Sequence, residues 1–243
     1  MNFFMDRLTI DLQKAGYSIE DPVIENISFS VKAGELVGLI GENGAGKSTT
    51  IKAILGQLPW MEGSVSVHTK GSVYGYVPER PVFYEELTVW EHIEYCGVMR
   101  EIPNWEGQAK ELVKTFRVEH YIHQLPHSLS KGTQQKIMII LALLPSPELL
   151  IVDEPFIGLD PRATKLLLRI IEQEREKGTG ILMCTHVLDT AEKLCDKFIL
   201  LSKGTMYTSG SLLDLQKKCQ LPDGSLLDCF DYLIDEDPNY GLD

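Results

Sequence analysis

Nine consecutive residues constrain this chain more than any others: Gly41-Glu42-Asn43-Gly44-Ala45-Gly46-Lys47-Ser48-Thr49. The apolar run Glu35-Leu36-Val37-Gly38-Leu39-Ile40 leads into them, and Thr50-Ile51-Lys52-Ala53-Ile54-Leu55 follows with a helical pattern. Strand, glycine-rich loop and helix in that order make a phosphate cradle. In the pattern G-x-x-x-x-G-K-[ST], backbone N–H groups wrap the phosphates, the lysine opposes the β/γ-charge and the hydroxyl reaches Mg²⁺. Glycine allows the close approach, and the helix start adds unpaired N–H groups and roughly half a positive charge. A glycine-rich turn before a surface helix is the bland alternative. It leaves unexplained the apolar strand in front and the face of Ile51, Ile54, Leu55 and Leu58 around the break at Gly56. The expectation is a site for ATP or GTP built from Gly41, Asn43, Gly44, Ala45, Gly46, Lys47, Ser48 and Thr49.

A second element fits the first. Leu149-Leu150-Ile151-Val152-Asp153-Glu154 is continuously apolar and then doubly acidic, as expected of a parallel strand covered on both faces. Ligands of such sheets sit beyond the carboxyl ends of the strands. Asp153 is thus placed to hold Mg²⁺ opposite Ser48, a pair of oxygen ligands suited to a hard cation. Strand alternation turns Glu154 the other way, which suits it to take a proton from, or orient, a water attacking the γ-phosphate.

Composition narrows the partners. The chain has 243 residues, 44% of them apolar, enough for a core without disulfides or metals, and is most economically one domain. Its formal net charge of −12 repels nucleic acid, so none is expected as principal ligand. Cys96, Cys184, Cys195, Cys219 and Cys229 are odd in number without C-x-x-C spacing, and read as reduced thiols of a cytosolic protein. Met1-Asn2-Phe3-Phe4-Met5-Asp6-Arg7 has no secretory pattern. The greasiest run, Ile137 to Leu144, is too short to span a bilayer.

Further motifs occur in a fixed order around these two. Leu129-Ser130-Lys131-Gly132-Thr133-Gln134-Gln135-Lys136 lies between them, and Gly158-Leu159-Asp160 and Thr185-His186 follow. With Asp153-Glu154-Pro155, this order resembles the ATP-binding subunits of ABC transporters over about Leu8 to Gly210. Tyr76-Val77-Pro78-Glu79-Arg80-Pro81, Tyr84-Glu85-Glu86-Leu87-Thr88 and the stretch Asp153 to Asp160 look more narrowly like the Ecs-type bacterial ATPases.

The resemblance implies roles. Tyr17 would stack on adenine, a flat ring held at small entropic cost. Lys47 would neutralise the β/γ-charge. Ser130, Lys131, Gly132 and Thr133 would form the signature loop that contacts the γ-phosphate held by a second subunit, the helix behind it aiming its positive end there. The assembly is then a two-fold pair with two ATP molecules shared between chains. His186 would be the switch histidine, a catalytic residue with Glu154 and Lys47. Asp160 would occupy the D-loop, and it is also suited to cap the helix after Pro161. Without the resemblance, Leu129 to Lys136 reads only as a capped helix start at Ser130.

Two departures stand out. Glu79 sits where the family has the glutamine of the Q-loop; its carboxylate is expected still to sense Mg²⁺ and couple to the membrane partner. In the signature, Lys131 replaces a glycine and Thr133 a glutamine, while Ser130 and Gly132 remain.

Other segments speak less clearly. Residues from about 80 to 145 fall where the family has a helical subdomain, with Leu112, Val113 and Phe116 as one helix face. Pro81, Val82, Phe83, Tyr84, Leu87 and Val89 are candidates for docking a permease helix, or for packing within the subdomain. His120, His123 and His127 have helix-like spacing but no completing ligands, so a solvated helix end is preferred to a metal site. Ser225 and Asp228 read as a capping box before Leu226, Phe230 and Leu233, and Asp235-Glu236-Asp237 as an acidic tail.

The expected fold is α/β: a P-loop NTPase with a RecA-like core, an antiparallel β subdomain and a small α-helical subdomain. Residues 1–210 are expected to form the ATP-binding domain and 211–243 a C-terminal helical extension and tail. ATP and Mg²⁺ are the expected cofactors. The implied partners are an integral-membrane permease and a second ATP-binding subunit, a homodimer, at the cytoplasmic face of a bacterial membrane. The resemblance favours export of peptide or other hydrophobic cargo. The alternatives are a soluble ATPase of the same class acting on DNA or ribosomes, and a small-molecule kinase that would ignore Ser130.

Overall fold

The computed structural model describes residues 5–69 and 74–235. Alternating sequence makes the first two strands. In β1 (Asp6–Gly16), Leu8, Ile10 and Leu12 are buried between more exposed neighbours, and β2 (Pro22–Lys32) pairs with it antiparallel. Such alternation is the mark of a strand with one covered face. β3 (Leu36–Ile40), β6 (Leu149–Asp153) and β7 (Gly180–Cys184) are buried at every residue, as continuous apolar runs require when helices cover both faces.

With β4 (Trp60–Val67), β5 (Tyr74–Val77), β8 (Lys197–Ser202) and β9 (Thr205–Gly210), they form one nine-stranded sheet in the order β4-β1-β2-β9-β8-β3-β7-β6-β5. The stretch β8-β3-β7-β6-β5 is parallel. β1, β2 and β4 are antiparallel and curl over α1 (Lys47–Ile54), whose Ile51, Ala53 and Ile54 share a core with Leu8, Ile10 and Val37. The helix is shorter than its apolar pattern suggests. Gly56, at φ +67°, ends it, and Leu58 reaches the same core from beyond the helix.

The opposite face carries α2 (Val89–Met99), α3 (Trp105–Phe116), α4 (Lys131–Leu143) and α5 (Pro161–Glu176), joined in one core by Ile93, Val113, Phe116, Ile140 and Leu167. Thr88 and Glu91 form a capping box that starts α2. Val113 and Phe116 are buried as the helix face predicts. Val89 is buried too, whereas Val82 and Tyr84 are exposed. The histidines do not share a helix: His120 and His127 lie in separate 3₁₀ turns, 119–121 and 126–128. Among the described residues, no helix is long and apolar enough to cross a membrane, and all five cysteines are free thiols.

Beyond α6 (Leu188–Leu194), α7 (Leu212–Cys219) and α8 (Leu226–Asp235) complete the chain's described part. Ser225 accepts the Asp228 N–H at 3.1 Å and the Asp228 carboxylate accepts the Ser225 N–H at 2.8 Å, the expected capping box. Leu226, Phe230 and Leu233 then pack on Phe198 and Leu200. Of the acidic tail, Glu236 and Asp237 lie outside the described residues. At the sheet's amino-terminal edge, Arg175 holds both oxygens of Asp196 at 2.8 and 2.7 Å, and Asp196 also accepts the Leu36 N–H at 2.8 Å. This pins the start of β3 to the end of α5.

Leu226 is fully buried and Leu227 is 45% exposed. Leu226→Ala is expected to cost about 2–5 kcal/mol, while Leu227→Ala stays within about 0.5 kcal/mol. Urea unfolding of the two variants measures the difference, and equal effects would contradict this docking of α8.

Candidate functional site

Parallel pairing brings three strand ends to one level. Leu39 of β3 and Asp153 of β6 both face Cys184 at the end of β7. The residues that follow are Gly41, Glu154 and Thr185-His186, so the motifs far apart in sequence meet at the sheet's carboxyl edge.

The loop after β3 is shaped by steric limits. A Cβ at Gly41 would lie 2.7 Å from the Leu201 carbonyl oxygen, and one at Gly46, at φ +100°, 2.7 Å from Ile24. Only glycine fits these two positions without displacing neighbours. Gly46 caps α1, and its carbonyl accepts the Thr50 N–H at 2.8 Å and the Thr50 hydroxyl at 2.9 Å. Lys47 Nζ donates to the carbonyls of Gly41 at 2.6 Å and Glu42 at 2.9 Å, which sets the ammonium across the loop.

One cavity of about 410 Å³ gathers most of the expected site. Asn43, Gly44, Gly46, Lys47, Ser48, Thr49, Glu79, Asp153, Glu154 and His186 line it, together with Val23, Glu42 and Ile157. Gly41 and Ala45 shape the loop from behind; Ala45 is buried.

Asp153 is 6% exposed. Burial, then the neighbouring Glu79 and Glu154, push its carboxyl up to about 6, with Lys47 pulling the other way. Tyr76 on the adjacent strand is pushed up to about 12, first by burial and then by Asp153.

Glu154 is directed to its place by the backbone and not by strand alternation. It lies past the end of β6 with φ +46°, a left-handed conformation rare for a residue with a side chain. Its N–H donates to the Cys184 carbonyl at 2.9 Å. Its buried carboxylate accepts the Thr185 hydroxyl at 3.2 Å and the His186 N–H at 2.9 Å, and meets His186 Nδ1 at 2.6 Å. With Glu154 ionised, the hydrogen of that last contact sits on Nδ1, because a carboxylate only accepts.

The other predicted residues lie apart from this cavity. Ser130 caps α4, accepting the Thr133 N–H at 3.2 Å, and its hydroxyl lies 2.9 Å from that of Thr133. Lys131 is exposed, and Gly132 runs so close to Gly158 that a Cβ would lie 2.7 Å from its carbonyl oxygen. Asp160 caps α5, accepting the N–H groups of Arg162 and Ala163, both at 2.9 Å. Tyr17 is 56% exposed at the end of β1; its hydroxyl accepts from Lys52 Nζ at 2.8 Å.

Several contacts around the site carry no signal in the sequence. Thr185 follows the buried strand like any polar strand end, and Lys52 is 35 residues from the tyrosine it holds. Gln135, 2% exposed, reaches the Pro78 carbonyl at 3.5 Å and links α4 to the segment entering Glu79.

The donors suit a magnesium nucleotide. Among the described residues no three His, Cys, Asp or Glu side chains gather as a metal cage. Mg²⁺ does not need one: it keeps waters and combines one or two protein oxygens with phosphate oxygens. Ser48, Asp153 and Glu79 line one cavity and would supply that set, and crowded carboxylates call for a cation.

The family model described as "ABC transporter" matches residues 24–157. The ABC transporter ATP-binding protein YthP of Bacillus subtilis (strain 168) is 48% identical over 225 residues, 92% of this chain and 94% of that protein. The ABC-type transporter ATP-binding protein EcsA of the same organism is 39% identical over 249 residues, 97% and 100% of the two chains. A solved ATP binding subunit of an ABC transporter superposes with a TM-score of 0.87 at 38% identity, covering 93% of this chain and 98% of that one. On these grounds the chain belongs to the ATP-binding subunits of ABC transporters, with the P-loop ABC ATPase fold and the ATP-hydrolysing activity of that family.

Proposed function

We propose that residues 1–210 bind MgATP in the cavity at the carboxyl edge of the sheet and hydrolyse it at a seam between two copies of this chain. The observation that carries the reading is the convergence of Lys47, Ser48, Glu79, Asp153, Glu154 and His186 on one cavity. Backbone N–H groups of Asn43 to Thr49 grip the phosphates, and Lys47 moves from its carbonyl partners to the β/γ-oxygens. Ser48, Asp153 and Glu79 hold Mg²⁺, which when bound offsets phosphate charge and orients the terminal group. Tyr17 stacks on adenine.

Glu154 accepts the proton of the attacking water, or orients that water. His186, already on Glu154, positions the carboxylate and touches the terminal phosphate. Ser130, Lys131, Gly132 and Thr133, remote from the cradle of their own chain, complete the site of the second copy, with Asp160 beside the seam. A site divided this way explains why a complete cradle and a capped signature helix sit apart on one chain.

The cycle drives a separate membrane permease from the cytoplasmic face, and the cargo is peptide or another hydrophobic molecule moved outward. Similarity to an ABC-type transporter protein over the whole length of EcsA supports this reading over a soluble ATPase on nucleic acid, as does the net charge of −12.

Two outcomes are expected. Glu154→Gln lowers the hydrolysis rate at least about 100-fold, the lower end of what a general base supplies, with ATP still bound; steady-state phosphate release and nucleotide titration measure both. A rate within threefold of the parent contradicts the role. Glu79→Gln removes a negative charge facing the phosphates, so Mg²⁺-free ATP binds roughly three- to tenfold more tightly at low salt. Unchanged or weaker Mg²⁺-free binding would show that Glu79 does not face the triphosphate.

A further inference from the structure

A second concave surface lies apart from the cradle. A groove of about 660 Å³ runs between the end of α3, the second turn of α4 and the first half of α5. Arg117, Lys136, Arg162, Lys165 and Arg169 line it, against a single carboxylate, Asp160. Phe116, Ala163 and Leu166 supply apolar surface within it.

This charge is unusual in its setting. The chain as a whole carries −12, so a concentration of cations on one concavity opposes the average field. Asp160 is 3.8 Å from Lys136 and also attracts Arg162. Among the described residues, the side chains of Arg117, Lys165 and Arg169 make no hydrogen bond or ion pair.

The arrangement also works against the helix that bears it. Arg162, Lys165 and Arg169 are spaced i, i+3 and i+7 along one stripe of α5, so the neighbouring pairs repel. Arg162 and Lys165 stand near the positive end of the helix macrodipole, and the first turn has no acidic residue to offset them. Apart from the attraction between Arg162 and Asp160, folding gains nothing from cations in these positions. A multivalent anion gains from all of them.

We propose that this groove is a second ligand site, which takes a multiply charged phosphate ester. Three guanidinium groups present planar forks that match phosphate oxygens. The volume lies in the range of small-molecule sites, and the apolar surface accommodates the organic part of the ester. The source is either a soluble metabolite or a phospholipid headgroup, whose chemistry is the same. A ligand here touches both Lys136, on the helix that Ser130 caps, and Asp160, which caps α5. It therefore reaches the two elements proposed to face the second copy.

The test uses the full chain carrying Lys47→Ala, which removes the cradle's own cation, with and without Arg162→Gln, Lys165→Gln and Arg169→Gln together. Calorimetric titration with inorganic pyrophosphate is expected to show binding that weakens at least tenfold in the triple substitution. Arg117→Gln, on a different element, weakens it as well. Because the replaced side chains are exposed and mutually repelling, the triple variant melts at the same temperature or higher. Equal pyrophosphate binding with and without the triple substitution overturns the proposal. So does tighter binding of an octaglutamate peptide than of pyrophosphate, which would assign the groove to an acidic protein segment. Vesicles of phosphatidylglycerol, with phosphatidylcholine as control, separate the two sources. Cosedimentation that the triple substitution abolishes identifies a lipid headgroup, and pyrophosphate binding without cosedimentation identifies a soluble ester.

Discussion

In-register parallel pairing of β3, β7, β6 and β5 decides where the chemistry-bearing residues of this protein meet. Val77 pairs with Val152, Asp153 with Cys184, and Leu39 with Cys184, so these strands stop at a common edge. Each residue that follows leaves the sheet into the same space. Burial on both faces fixes the register, because a shift would leave backbone groups unpaired in the core. The ion pair of Arg175 with Asp196 and that of Arg7 with Glu148, at 2.8 Å, lie elsewhere on the molecule. The active edge therefore has freedom to carry a strained residue such as Glu154.

Charge is sorted between two concave surfaces. The cradle collects Glu42, Glu79, Asp153 and Glu154 around Lys47, and the carboxyl of Asp153 is pushed up by burial and by two of these neighbours. Such a site favours a bound divalent cation because the cation relieves repulsion already present. The groove of α3, α4 and α5 has the opposite balance, five cations to one carboxylate. A divalent cation accompanying the nucleotide in the cradle and an anion in the groove would thus satisfy opposite local imbalances on one chain.

Much of this is legible in the sequence, where the cause is local. The loop around Lys47, the buried run ending at Asp153 and the capping box of Ser225 with Asp228 are set by residues adjacent in sequence. Glu154 shows where that reasoning fails. Strand alternation explains its separation from Asp153 on paper, yet the residue has left the strand, and a left-handed turn with the Cys184 carbonyl aims it. The approach of Gly132 to Gly158 and the hold of Lys52 on Tyr17 join segments with no shared period. The basic groove is hidden for the same reason: its cations come from three helices, and the composition of the whole chain points the other way.

In the proposed seam between two copies, each triphosphate is gripped by Lys47 of one copy and Ser130 of the other. Mixing chains that carry Lys47→Ala with chains that carry Ser130→Arg tests it directly. Each variant alone lacks a complete site, but a mixed pair contains one site with both groups intact. The account predicts that steady-state ATP hydrolysis, near background for either variant, rises severalfold when the two are combined. Activity of the mixture no greater than the sum of its parts, with both variants folded, would contradict it.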